Sequence, residues 1–188
     1  MKSVLISIRP KWCELIASGE KTIEVRKTRP KLETPFKCYI YCTKNARDPD
    51  KLWVLNKRRR QEYGGLTAVC ANLAERPDYH YDGNGKVIGE FVCDCITGAM
   101  ANNGIQTYYN GQKGTCLSDA EIIRYAGGKK IYYWHISDLK IYDKPKELSI
   151  FSNGSSTLSF SKTKDGFPWK YSGMTKPPQS WCYVEEIS

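Results

Sequence analysis

Gly19-Glu20-Lys21-Thr22-Ile23-Glu24-Val25-Arg26 sets a turn glycine and a run of charged side chains around two aliphatic residues. In a strand, successive side chains point to opposite faces. Ile23 and Val25 then face a core, while Thr22, Glu24 and Arg26 share the other side and Lys21 stands at the strand entrance. Such a row either satisfies itself as a surface ion-pair ladder, which stabilises a fold little, or lines a pocket for a polar ligand.

The flanks supply the elements around this strand. Val4, Ile6 and Ile8 alternate with other residues and predict a first strand. Pro10 suits the first position of a helix, where its missing N–H costs nothing. Trp12, Leu15 and Ile16 fall on one face of that helix, and Gly19 provides a left-handed stop. After a turn over Arg29–Pro35, Phe36–Cys42 reads as the next strand. Asp82-Gly83-Asn84-Gly85 predicts a hairpin turn into a strand over Lys86–Ile96, and backbone geometry explains its glycines without a phosphate loop. A helix opens at Leu117-Ser118-Asp119-Ala120-Glu121 with Ser118 as cap and closes at Gly127-Gly128. Ile131–Tyr142 is a long strand.

Length and composition bound the function. A chain of 188 residues can bury one proper core. It is expected to be a single domain over 1–188, with insertions at about 44–85 and 149–176, the latter a loop. Leu52, Trp53, Val54 and Leu55 suggest a short docked helix within the first insertion. The mean hydropathy of −0.55 and the lack of a long apolar run argue against a membrane span. The run Val4–Ile8 is too short for a secretory signal, so a cytoplasmic protein is expected.

The net charge is +9, and residues 21–60 hold 13 Lys/Arg against 4 Asp/Glu, which accounts for all of it. A basic region confined to one part of the chain points to a polyanionic partner, nucleic acid before others. The alternative is a solvated face, above all for Lys57-Arg58-Arg59-Arg60.

Eight cysteines occur without a Cys-x-x-Cys. In a reducing compartment they act as small hydrophobes: Cys38 and Cys42 share a face with Ile40, and Cys93 and Cys95 with Phe91. A zinc site from these four is a weaker reading, so no metal and no cofactor are expected. Cys13 and His135 show no spacing that would make a nucleophile and base. Glu90 and Asp94 share a strand face with Ile88, Val92 and Ile96, which predicts a partly buried acid paired with Arg26.

The octapeptide resembles the Gly-x-Lys-x-x-Glu-x-Arg signature of the ASCH family, a branch of the PUA-like superfamily. Val4–Trp12 and Cys13–Ser18 are similar to that family's opening strand, Pro-containing turn and short helix. Tyr133–Leu139 and Pro177–Val184 resemble longer members found in phages and mobile elements. The resemblance implies an α+β fold, a partly open β-barrel of about six strands with two or three short helices.

It also implies a nucleic-acid-binding module for RNA or a modified nucleotide, with Lys11, Trp12, Lys21, Thr22, Glu24, Arg26 and Lys27 lining a basic cleft. The N-terminus of the first helix and Lys11 make a seat for phosphate or carboxylate. Arg26 can clamp an anion at two points. Glu24 can accept from a base amino group or a ribose hydroxyl. Trp12, Tyr133, Trp134 and Trp181 offer stacking surfaces, although tryptophan in a small fold is commonly core.

The alternative is a hydrolase. In small ASCH members a lysine and a threonine three positions later hydrolyse the acetyl amide of acetylated cytidine nucleosides, and other members are implicated in RNA cleavage. Lys21 matches the lysine, but Glu24 stands where the threonine would be, so the hydroxyl nucleophile is missing. Lys21 and Glu24 would then be catalytic in another way, Glu24 orienting a water and Lys21 steadying the oxyanion.

Overall fold

The computed structural model describes residues 2–44, 83–100, 112–154 and 173–187. The proposed helix near Leu52–Leu55 and the Lys57-Arg58-Arg59-Arg60 run lie outside them. In chain order the elements are β1 (Ser3–Ile8), α1 (Pro10–Ala17), β2 (Ile23–Arg26), β3 (Phe36–Cys42), β4 (Val87–Met100), α2 (Gln112–Thr115), α3 (Asp119–Ala126) and β5 (Lys130–Lys146). A 3-10 turn (Leu148–Ile150), β6 (Phe151–Ser152) and β7 (Trp181–Glu186) complete them.

Seven strands form one open sheet in the order β2-β5-β4-β3-β1-β7-β6, with β1 and β3 parallel and the other ladders antiparallel. This is the expected α+β, PUA-like barrel that does not close, with seven described strands rather than about six.

Local signals account for most boundaries. Pro10 sits at the start of α1, and Gly19 follows the helix with φ +78°, a conformation that a side chain disfavours. Ser118 and Glu121 form a reciprocal capping box at α3, and Gly127 ends it at φ +57°. β1 is buried along its whole length because β3 and β7 flank it and both its faces are covered. Val4, Ile6 and Ile8 join the main core with Cys38, Ile40, Phe91 and Trp134, whereas Leu5 packs on the other face with Tyr39, Tyr142 and Phe151.

Two expectations along β4 and β5 need correction. β4 slips register between Val87 and Gly89, between Glu90 and Val92, and between Cys93 and Ile96. Each slip breaks the strict alternation on which the sequence reading relied. Asp94 and Cys95 are therefore exposed while Cys93 stays buried. Gly89 permits the first slip, since a Cβ there would lie 2.4 Å from the Lys140 carbonyl oxygen. Glu90 meets Lys37 of β3 at 3.2 Å and, at 2.6 Å, Tyr142 Oη, well along β5 from the Tyr132 that pairs with Arg26. The 149–176 segment is also more structured at its start than a loop, since Ser149–Ser152 belong to the 3-10 turn and β6.

Candidate nucleic-acid interface

The sheet's first edge, β2, shares no ladder with β1 or β7, yet side chains join them. Arg26 Nη2 donates to the Ser7 carbonyl oxygen at 2.7 Å and Nη1 to Ser180 Oγ at 3.3 Å. Trp181 Nε1 donates to Thr28 Oγ1 at 2.9 Å, and the Lys31 N–H donates to Tyr183 Oη at 2.7 Å. Ser7 itself is tied to the chain before β7, its N–H donating to the Ser180 carbonyl and its hydroxyl to that of Pro178.

Above this seam lies a cavity of about 640 Å³, within the range of small-molecule sites. Its floor comes from β2 and its walls from the β1–α1 turn, α3 and the segment before β7. Lys21, Glu24 and Arg26 line it and are buried, with 2%, 7% and 8% of their surface exposed. Glu24 sits between the two cations: Lys21 Nζ lies 3.4 Å from its Oε2 and Arg26 Nε 2.9 Å from its Oε1. The Arg26 contact is an ion pair whose alignment falls short of a hydrogen bond. Lys21 Nζ also donates to the carbonyls of Ile23 at 2.8 Å and Thr115 at 2.7 Å. The Glu24 carboxylate stands beside this ammonium as an ion pair rather than as a third acceptor. Lys21 therefore locks α2 onto the strand, while Glu24 keeps lone pairs, and Arg26 terminal N–H groups, beyond the contacts described.

Of the residues anticipated for the cleft, Trp12, Lys21, Glu24, Arg26 and Lys27 line the cavity. Lys11 and Thr22 do not. The Lys11 ammonium lies 4.8 Å from the Trp12 ring centroid. Thr22 is exposed and still belongs to the turn, where its N–H donates to the Gly114 carbonyl and its carbonyl accepts from Ile136. The start of α1 does border the cavity, through Ile8, Arg9 and Trp12, as the anion seat requires.

The aromatic expectations divide in the same way. Trp134 has no exposed surface and is core, in ring contact with Phe36 and Trp181. Tyr133 packs against the small cluster of Val25, Ile122 and Ile131, and Trp181 serves the seam. Trp12 remains, half-buried, with Lys21 Nζ 5.2 Å from its centroid.

Sequence reading missed Arg9, Ser7, Ser180 and Tyr125, which the fold brings to the same cavity. Tyr125 is exposed on α3, and Lys27 Nζ lies 5.1 Å from its ring centroid.

Burial governs the described cysteines of the core. Burial pushes the Cys13 thiol well up, with Cys42 adding to the effect, and its sulfur donates to the Ile8 carbonyl. A thiol held protonated is a poor nucleophile. Burial likewise raises Cys38 and takes Cys93 up to about 12. Among the described residues no cluster of three His, Cys, Asp or Glu side chains is placed to hold a metal ion. Nor does any described helix have the length and apolarity to cross a membrane.

The model of the ASCH domain matches residues 6–99, half of the chain. The chain belongs to the ASCH domain family. That match takes in the second half of β1, all of α1, β2 and β3 and nearly all of β4, and so the whole charged floor; α3 and β7 lie beyond it.

Two solved structures of the ASCH protein from Zymomonas mobilis are similar in fold. A tyrosine-to-phenylalanine variant is 18% identical, with TM-score 0.55 over 98% of this chain and 91% of that one. A serine-to-alanine variant is 17% identical, with TM-score 0.53 over 97% and 88%. No curated protein matches the chain.

Proposed function

We propose that this ASCH domain binds single-stranded nucleic acid, RNA or a modified nucleotide, with one base in the cavity beside β2. The observation that carries this reading is the carboxylate of Glu24 held between Lys21 and Arg26 on the floor of an open cavity. Burying charge is costly, and a buried ion pair is seldom the most stable filling for a core. A purely structural seam would need Arg26 on Ser7 and little else. Here the fold also keeps a carboxylate facing a space large enough for a base, where it accepts from an amino or imino N–H. Arg9 and Lys27, exposed at the mouth, meet the phosphates, and Trp12 offers its ring to the base.

The hydrolase reading finds less support. The Lys21 ammonium already donates to the carbonyls of Ile23 and Thr115 and is paired with Glu24, which leaves it little to steady an oxyanion. We keep the remaining expectations as proposals of the same kind: one domain with insertions, a cytoplasmic setting, and kinship with the longer phage-type members.

The test is fluorescence anisotropy with a short single-stranded RNA. Glu24→Gln and Arg26→Glu should each weaken binding more than tenfold, whereas Lys144→Glu, on the exposed far end of β5, should change it less than twofold. Equal losses at all three positions would place the interface elsewhere.

A further inference from the structure

We infer that the base held in this cavity is guanine, read by Glu24 along its Watson–Crick edge; this rests on the nucleic-acid reading above. Glu24 is 7% exposed and has a cation beside each oxygen, yet among the described residues neither oxygen accepts a hydrogen bond. Lys21 Nζ stands 3.4 Å from Oε2 and gives its bonds to the carbonyls of Ile23 and Thr115. Arg26 Nε stands 2.9 Å from Oε1 without the alignment of a bond, and its terminal nitrogens turn to Ser7 and Ser180. The charge is balanced while lone pairs on both oxygens are left over. Buried polar groups are as a rule hydrogen-bonded, so an exception on the wall of a cavity calls for a donor that enters it.

An ionised carboxylate only accepts, through two oxygens side by side. Its complement is a pair of adjacent N–H donors in one plane. Guanine alone of the four bases has such a pair, N1–H and the 2-amino group, on the edge that single strands leave open. Adenine and cytosine each set one amino group beside a ring nitrogen that accepts, so the second oxygen of Glu24 would face a lone pair. Uracil offers a single imino N–H between two carbonyls. With N1–H on Oε1 and the amino group on Oε2, guanine O6 falls on the Arg26 side of the carboxylate. Nη1 and Nη2 carry two protons each and give one each to Ser180 and Ser7, so protons remain for O6. Trp12 stands at the other cation, its ring centroid 5.2 Å from Lys21 Nζ, which makes ring and carboxylate neighbours on the cavity wall.

Fluorescence anisotropy of the whole chain with labelled uridine heptaribonucleotides tests this, the central base being guanine, hypoxanthine, adenine, cytosine or uracil. Central guanine should bind at least about tenfold more tightly than adenine, cytosine or uracil, the discrimination of one good two-point contact. Hypoxanthine keeps N1–H and O6 but lacks the 2-amino group, and should fall several-fold below guanine. Glu24→Gln, with one acceptor in place of two, should bring guanine close to adenine. Unfolding curves keep a lost fold apart from a lost preference, and the comparison of guanine with hypoxanthine needs no variant. Equal binding of guanine and hypoxanthine would overturn the two-point contact. Equal affinity for all five oligonucleotides would overturn the guanine site, and a loss in Glu24→Gln common to all five would leave the general reading standing. Failure of all five to bind would overturn both.

Discussion

Arg26 reaches 2.7 Å from its terminal Nη2 to the carbonyl oxygen of Ser7, across a seam that no backbone ladder spans. One guanidinium thus joins the edge of the sheet to its interior, and holds Glu24 with its remaining side. Stability and ligand recognition draw on the same side chain.

Removing that side chain leaves Glu24 with only Lys21 and strips Ser7 of a charge-assisted bond. Breaking a buried pair from one side costs about 3–5 kcal/mol. Arg26→Ala should therefore lower the unfolding free energy by that amount, read as a lower urea midpoint at an unchanged slope, the sign of lost stability rather than a different unfolded state. Arg26→Lys should fall between, because an ammonium cannot span Glu24, Ser7 and Ser180 with the geometry of a fork.

Gly114 gives a second, independent handle on the floor. A Cβ at this position would lie 2.4 Å from Thr22 Oγ1 and 3.1 Å from Ile23 Cγ1. Gly114→Ala should push α2 off the strand and weaken the Lys21–Thr115 bond, at about 1–3 kcal/mol for overpacking. Hydrogen exchange should quicken at the Thr22 amide, which donates to the Gly114 carbonyl. Thr22→Ala in the same chain should recover much of the loss, whereas on its own it should cost little.

Salt dependence reports how many cations meet phosphate. If Arg9, Arg26 and Lys27 each neutralise one phosphate of a single strand, log K against log salt should slope at about −2, since each contact contributes about 0.7. Arg9→Ala should flatten the slope by about 0.7 while leaving base preference intact. Glu24→Gln should do the reverse, altering preference at an unchanged slope. A flat titration for the native protein would remove phosphate contact from the account.

The signature strand was legible because its information is local. Alternation alone put Glu24 and Arg26 on one face, and turn chemistry placed Gly19, Ser118 and Gly127. What sequence could not supply was the partner across the seam: Ser7 meets Pro178 at a separation of 171 residues. Nor could alternation survive β4, where three register slips moved Asp94 and Cys95 to solvent and turned Glu90 toward Lys37 and Tyr142. Tyr125 escaped notice for a related reason. On a helix read only for its caps it is one more aromatic, and it becomes a site residue through contact with Lys27 at the end of a distant strand.

The outer face of the sheet predicts a pH response separate from the cavity. Burial alone would raise Glu90, but hydrogen bonds from Tyr142 and Lys37 overcome it and hold the carboxyl below its ordinary value of 4.5. Because the folded value is depressed, the stabilisation is complete above about pH 4.5 and is lost as pH falls through the folded value. Tyr39 and Tyr142 act on the other limb. Burial, with the Glu186 carboxylate adding to it, pushes Tyr39 from 10.0 up to about 12. Burial and the bond to Glu90 raise Tyr142 as well. A raised phenol contributes stability that is complete below pH 10 and declines as the unfolded chain ionises above it. The melting temperature should therefore fall below pH 4.5 and again on the alkaline side, where the buried thiols of Cys13, Cys38 and Cys93 contribute from 9.0 and the phenols from 10.0. Tyr142→Phe should flatten both limbs, having lost the donor to Glu90 and one raised phenol. Glu90→Gln should flatten the acid limb and, by removing the charge beside Tyr142, lessen the alkaline one. Unfolding followed by absorbance at the tyrosinate band would separate the two contributions, and a Tyr142→Phe profile superimposable on the native one would show that this network carries no linkage.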